Sequence, residues 1–547
     1  VAGGGVETGS EVVKTLIGIL AVAFALGAPA FAQGPVVSAP AGKVEGAGEN
    51  GIDVFKGIPY AAPPVKGLRW RPPVPLPAWS GVKQATAYGP ACWQPVSPLP
   101  NIYKDDPPAM SEDCLTLNIW APARAEKAPV IVWIHGGAFV GGRSGESIYD
   151  GARLAARGVV VVTINYRLGV FGFLAHPDLS AESGAHVSGN YGLLDQIGAL
   201  HWVQSNIAAF GGDPANVTVA GESAGGLSVA FLMASPYARG LFAKAIAQSA
   251  YMINIPELKA AKSGWPSAET LGTLLGTMLQ KPSIAELRAM DAETLTKAAV
   301  RFGTFPVVDG KVVPKQLIET FDAHEQAPVP VLAGFNAGEI RSLWGLAPKP
   351  AASAADYEKT IRARYGDLAD AYLKLYPASD QQESIYASVR DALYGWTAMR
   401  LVRSQTALGA PSFLYMFDHG YPAADAAGLH AFHGSELPFM FDTADRIPAL
   451  WPTIPQDDRL GDAMADYWTS FARDGHPVAK GAPDWAAYGG GEAFMHFTDV
   501  PHLESHPLPG VFELNEAVVC RRHAAGNVAW NWNVSLASPD LPPKASC

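Results

Sequence analysis

Apolar positions along this chain fall into two kinds of run. Some are short and unbroken: Ala128 to Ile134, Gly158 to Asn165 and Asn216 to Ala220, the second almost purely β-branched. A strand reads this way when both of its faces are covered, as central strands of a parallel sheet are. Other runs repeat at helical spacing: Leu193 to Phe210, and Leu227 to Ala234 after a glycine pair. Their alternation predicts an α/β fold, a central mostly parallel sheet with helices on both faces. Further strands are predicted at Val329 to Phe335 and Ser412 to Phe417, and a late helix at Gly461 to Arg473. Residues 255–300 and 351–410 read as mainly helical, an insertion over the sheet spanning roughly 255–410. Residues 34–50 form an extended entry. Proline keeps 56–75 extended or turned, because it blocks helix interiors. No linker interrupts the pattern, so 33–547 is expected to be one elaborated domain.

The N-terminus follows a different pattern. Lys14 precedes the apolar run Leu16 to Leu26, and Ala30-Phe31-Ala32 stands before Gln33. This reads as a secretory signal over residues 1–32, cleaved near Ala32. The run is short for a membrane span. The expectation is a bacterial secreted or periplasmic protein with no stable membrane anchor after cleavage.

Charge narrows the choice of partner. The formal net charge is -11; Glu7, Glu11 and Lys14 contribute -1 of it, which leaves -10 beyond residue 32. An acidic chain without a basic run is a poor ligand for nucleic acid or anionic lipid. Four cysteines, Cys92, Cys114, Cys520 and Cys547, allow three pairings. An exported protein favours disulfides. No C-x-x-C spacing points to a structural zinc.

The chemistry centres on Gly221-Glu222-Ser223-Ala224-Gly225, a G-x-S-x-G between a predicted strand and a predicted helix. There the glycines permit a turn sharp enough to lift the serine hydroxyl to the edge of the sheet. The second element is His135-Gly136-Gly137-Ala138-Phe139, directly after the strand ending at Ile134. Small residues there let backbone N–H groups reach a substrate oxygen on which negative charge develops.

Together these motifs make the chain similar to the type-B carboxylesterase/lipase family of α/β-hydrolases. The resemblance is carried by FKGIPYAAPP at 55–64, SEDCLTLNIWAP at 111–122, WIHGGAF at 133–139, NYRLGVFGFL at 165–174 and GNYGLLDQ at 189–196. It continues through FGGDPANVTVAGESAGG at 210–226, GFNAGE at 334–339 and FHGSELPFMF at 432–441. It implies an α/β-hydrolase fold and a serine carboxylesterase working through an acyl-enzyme, with no cofactor and no metal. Ser223 would be the nucleophile, Glu339 the acid and His433 the base, in the chain order of that fold. The oxyanion donors would be the N–H groups of Gly137, Ala138 and Ala224. Many relatives have glycine where Ala138 stands, so a methyl group narrows the site. The resemblance also implies a Cys92–Cys114 disulfide. Cys520 and Cys547 are then left to pair with each other or to remain two thiols.

Three residues compete for these roles. Asp309 is an alternative acid, but Asp309-Gly310 has the composition of a turn. Glu222 is expected in a buried polar network beside the nucleophile. His430 lies three residues before His433, but follows Ala426-Ala427-Gly428-Leu429 without an immediate anchor. Gly434 and the packed segment beginning at Glu436-Leu437 favour His433. Trp93 is expected to pack in its loop; its offset from Cys92 does not suit a choline-stacking residue. The substrate is a small-molecule ester. Two narrower readings are a hydrolase of a carbamate or a large natural-product polyester, such as a tricarballylic ester of the fumonisin type, and a non-catalytic binding member of the same fold.

Overall fold

The computed structural model describes residues 34–96, 109–302, 305–446 and 452–543. The expected signal segment 1–32 and Cys547, the partner considered for Cys520, lie outside them. From Pro35 onward the chain folds as one compact unit.

That unit is organised by an eleven-stranded sheet, whose strands are numbered in chain order: β1 (Ala47–Glu49), β2 (Ile52–Pro59), β3 (Thr116–Pro122), β4 (Ala128–Ile134), β5 (Val160–Ile164), β6 (Gly212–Glu222), β7 (Lys244–Gln248), β8 (Val331–Asn336), β9 (Ser412–Phe417), β10 (Ala493–Phe497) and β11 (His502–Ser505). In space they run β11-β10-β9-β8-β7-β6-β4-β5-β3-β2-β1. Strands β4 to β10 are parallel, and β1, β2, β3 and β11 extend the two edges antiparallel.

The unbroken apolar runs follow from burial on both faces. Val130, Val132 and Ile134 enter one core layer, while Ile131 and Trp133 enter the other. Strand β8 divides likewise, with Val331, Ala333 and Phe335 on one side and Leu332 on the other. Each aliphatic side chain buried this way contributes about 1.5–3 kcal/mol. Helices α1 (Tyr191–Asn206), α2 (Ala224–Ala234) and α3 (Trp396–Ala407) cover the first face. Helix α4 (Pro455–Asp474) covers the second with Leu460, Met464, Trp468 and Phe471.

The structure adjusts several expected boundaries. Strand β6 extends beyond the apolar run Asn216 to Ala220 at both ends. The helix expected from Leu227 starts at Ala224, immediately after the serine, because Gly225 and Gly226 pack against neighbouring backbone: a Cβ would lie 2.0 Å from the Ile134 carbonyl at Gly225 and 2.6 Å from the Gln248 carbonyl at Gly226. Glycines that look like a loop in sequence are here a contact between helix and sheet. Between β7 and β9 helices occupy 268–278, 284–289, 292–299, 317–322 and much of 354–407, whereas 249–267, part of which was expected to be helical, carry none.

Cys92 and Cys114 form a disulfide with a sequence separation of 22. Trp93 packs beside the cluster of Trp70, Val170 and Phe171. Among the described residues no helix is long and apolar enough to cross a membrane.

Candidate active site

The C-terminal ends of β4, β6, β8 and β9 converge, and each delivers one piece of the site, as ligand-binding edges of α/β sheets do. Ser223 follows β6 directly, in a left-handed backbone conformation with φ 56° and ψ -121°. Its N–H donates to the Gln248 carbonyl at 3.0 Å. The turn closes because Gly221 lies against Gly225; a Cβ on Gly221 would sit 2.5 Å from the Gly225 carbonyl carbon. Such strain at a non-glycine residue persists only where its surroundings over-determine it.

His433 comes from the loop after β9. Its Nε2 lies 2.8 Å from Ser223 Oγ, and its Nδ1 lies 2.5 Å from Glu339 Oε2. With a carboxylate at Nδ1, the proton belongs there and Nε2 is left to accept from the hydroxyl. The other Glu339 oxygen accepts from the Asn336 N–H at 2.9 Å, so the end of β8 orients the acid. Gly434, at φ 79°, turns the chain sharply after His433. The segment Leu437–Met440 then packs as a buried helical turn. The loops carrying Glu339 and His433 also meet at Gly338, whose N–H donates to the Ala431 carbonyl at 2.9 Å. A Cβ there would lie 2.9 Å from the carbonyl oxygens of both Ala431 and Leu429.

Two further glutamates surround the imidazole. Glu222 is fully buried, with Oε1 3.2 Å from His433 Nε2. Glu436 is also fully buried and accepts from the Asn336 and Gln248 side chains at 2.6 and 3.1 Å. Gln248 in turn accepts from the Trp468 indole at 3.0 Å. Tyr394 lies against the imidazole, ring centroids 5.2 Å apart. Burial pulls the His433 imidazole down, but the charges of Glu222, Glu339 and Glu436 push it up to about 9. Burial, and then the Glu339 charge, push the Glu436 carboxyl up to about 7. The sequence reading assigned roles to neither Glu436, Gln248 nor Asn336, although GFNAGE and FHGSELPFMF contain two of them.

Facing the serine across β4, Gly137 has φ 98° and Ala138 φ 53°. Among the described residues none accepts a hydrogen bond from the N–H groups of Gly137, Ala138 or Ala224. Gly136 must be glycine, since a Cβ would lie 2.7 Å from Glu222 Oε2 and 3.2 Å from the Ser223 Cβ.

The competing residues are placed elsewhere. Asp309 closes a turn, accepting from the N–H groups of Lys311 and Val313 and from the Asn190 side chain. His430 does not reach the serine. Its ring is held instead by Asp418 and Asp425, at 2.8 and 2.7 Å, partners that the sequence reading did not name. Asp418 was out of view because it precedes His430 by twelve residues.

This arrangement stands beside known proteins as follows. A profile of the Carboxylesterase family matches residues 33–507. The chain belongs to this family. The carboxylesterase is 39% identical over 469 residues to the para-nitrobenzyl esterase of Bacillus subtilis (strain 168), covering 83% of this chain and 92% of that one. It is 36% identical over 469 residues to the fumonisin B1 esterase of Sphingopyxis macrogoltabida, covering 82% and 83%. Among solved structures it superposes on a PNB esterase with a TM-score of 0.75 and 35% identity, covering 88% of this chain and 99% of that one. A Geobacillus stearothermophilus carboxylesterase gives 0.74 and 33%, with the same coverage. The fold is that of an α/β-hydrolase, and the carboxylesterase is a carboxylic ester hydrolase.

Proposed function

We propose that this carboxylesterase is an exported serine esterase in which Ser223 is the nucleophile, His433 the general base and Glu339 the acid that orients it. The observation that carries the reading is the unbroken hydrogen-bonded chain from Ser223 Oγ through His433 to Glu339. Ser223 Oγ attacks the acyl carbon while its proton passes to His433 Nε2. The imidazolium then has Glu339 against Nδ1 and Glu222 against Nε2. The former carbonyl oxygen takes up negative charge and receives the N–H groups of Gly137, Ala138 and Ala224. Each such donor lowers the barrier by about 3 kcal/mol in serine hydrolases. The acyl–oxygen bond breaks, and the alcohol leaves with the proton from Nε2. Water gives a proton to the same nitrogen, its oxygen attacks the acyl-enzyme, and the carboxylic acid departs with Ser223 restored. Export is supported by the apolar segment Leu16 to Leu26 and by the Cys92–Cys114 disulfide, a bond favoured in oxidising compartments.

A second reading takes support from the 36% identity to a fumonisin B1 esterase: hydrolysis of polycarboxylate esters. One panel tests both. Para-nitrophenyl esters of graded acyl length and a tricarballylate ester are offered to the wild type and to Ser223→Ala. Turnover of the simple esters that vanishes in Ser223→Ala supports the first reading. Preference for the tricarballylate ester moves the substrate to the second, and activity that survives in Ser223→Ala sinks the nucleophile assignment.

A further inference from the structure

At the β10–β11 edge of the sheet, away from the serine, three side chains converge on one face. His496 and His502 are directly paired across the antiparallel strands, with ring centroids 5.1 Å apart. Glu504 lies two residues beyond His502, on the same face of the edge strand. His496 Nδ1 and His502 Nε2 lie 2.9 and 2.7 Å from the same oxygen of Glu504, Oε1. The ligand-bearing atoms of the three all fall within 4.8 Å of one another.

The other nitrogen of each ring is already committed. His496 Nε2 lies 3.2 Å from Asp418 Oδ2. His502 Nδ1 lies 3.1 Å from the Val500 carbonyl. Both partners accept only, so in the neutral rings both N–H groups point outward and both lone pairs point inward, at a carboxylate. Two lone pairs and a carboxylate oxygen facing one point form an electrostatic arrangement that a cation completes. Outward N–H groups held by a carboxylate and a backbone carbonyl are also the supports that fix metal-bound histidines in orientation.

We propose that His496, His502 and Glu504 bind one divalent transition-metal ion of the zinc type, through His496 Nδ1, His502 Nε2 and the Glu504 carboxylate. Two imidazole nitrogens and one carboxylate oxygen suit zinc, cobalt or nickel and are a poor set for magnesium or calcium. Ligand atoms 2.7–2.9 Å apart need to open by only about 0.5 Å to stand around an ion at bond lengths of roughly 2.0–2.2 Å. A fourth position faces solvent: 47% of the His502 side chain and 42% of that of Glu504 are exposed, which leaves an entry path for the ion and room for a water ligand. The ion tethers edge strand β11 to β10. Through Asp418, which also holds His430, it braces the loop that carries His433.

The test uses the full-length protein, stripped with a chelator, dialysed and titrated with Co2+ while its visible absorption is followed, and with Zn2+ by calorimetry. The expected result is one ion per chain, with a ligand-field band that saturates at that ratio. His502→Ala and Glu504→Gln each weaken binding by about tenfold or more, the scale of losing a ligand or its support. The exposed His201, replaced by Ala, serves as the control and binds like the wild type. Zn2+ raises the melting temperature of the wild type but not that of a variant carrying both His502→Ala and Glu504→Gln. Absence of saturable binding below about 1 mM, or binding that persists unchanged in His502→Ala and Glu504→Gln, overturns the proposal.

Discussion

His433 and His430 stand three residues apart on one loop, and carboxylates push both imidazoles up to about 9. Their chemistry nevertheless differs. His430 has Asp418 at Nε2 and Asp425 at Nδ1. With acceptors on both sides it is favoured as a double donor and has no lone pair for a substrate proton. His433 has a carboxylate at Nδ1, and nearest to its Nε2 is the Ser223 hydroxyl at 2.8 Å, with the Glu222 carboxylate farther off at 3.2 Å, so the nearest group at that nitrogen is one that can donate a proton to it. A raised imidazole therefore does not identify a base; the group opposite its second nitrogen does.

The sharpest attack on this comparison is to remove each ring. His433→Ala is expected to lower kcat by about four to six orders of magnitude, the scale of deleting a base from a serine hydrolase. His430→Ala is expected to cost no more than about tenfold. Both variants should keep the fold, as checked by circular dichroism and melting temperature. A dead His430→Ala beside an active, folded His433→Ala reverses the assignment.

A medium-sized effect comes from the charge facing His433 Nε2. A histidine base works only when neutral. Because its carboxylate neighbours raise it, kcat/KM should fall on acidification with a midpoint above the ~6.5 of a free imidazole. Glu222→Gln removes one of those charges and should move the acid limb down by about one pH unit. His430→Gln should leave the limb where it is. A profile flat from about pH 5 to 9 is incompatible with a histidine base.

The smallest effect concerns the clamp on His430. A raised histidine contributes stability that is fully present below its unfolded value of about 6.5 and is lost as pH rises through about 9. Asp418→Asn should therefore destabilise the fold more at pH 6 than at pH 10. The cost should not exceed about 1 kcal/mol, because 40% of the His430 side chain and 30% of that of Asp418 are open to solvent and screened. Equal costs at the two pH values in urea unfolding mean that packing, not charge, holds His430.

What the sequence disclosed follows the same physics. Strands β4, β5 and β6 were legible because two-sided burial leaves an unbroken apolar run. Strand β11, His-Leu-Glu-Ser, is exposed along its whole length and carries no such signal. Strand β7, Lys-Ala-Ile-Ala-Gln, is buried throughout, but its polar ends and alanines conceal it. The helix Val511–Ala525 went unread because its buried set mixes Leu514 and Val518 with Arg521 and Arg522. At the site, Ser223, Glu339 and His433, which stand within hydrogen-bond reach of one another, each lie in a local motif. The Glu436–Asn336–Gln248 network was not legible, because its members join only when the ends of β7 and β8 meet the loop after β9.

Glu339 and His433 reach the site on segments 94 residues apart in the chain, yet the bond from Gly338 to Ala431 stitches them into one piece. Transplanted into another host, the acid loop alone would bring a backbone donor with no carbonyl to meet, and the base loop alone a carbonyl with no donor. The two form a single cassette for recombination, separable from the serine turn but not from each other. The stretch between them holds α3 and the central strand β9, so any exchange has to keep both and return the two stitched ends to the same place.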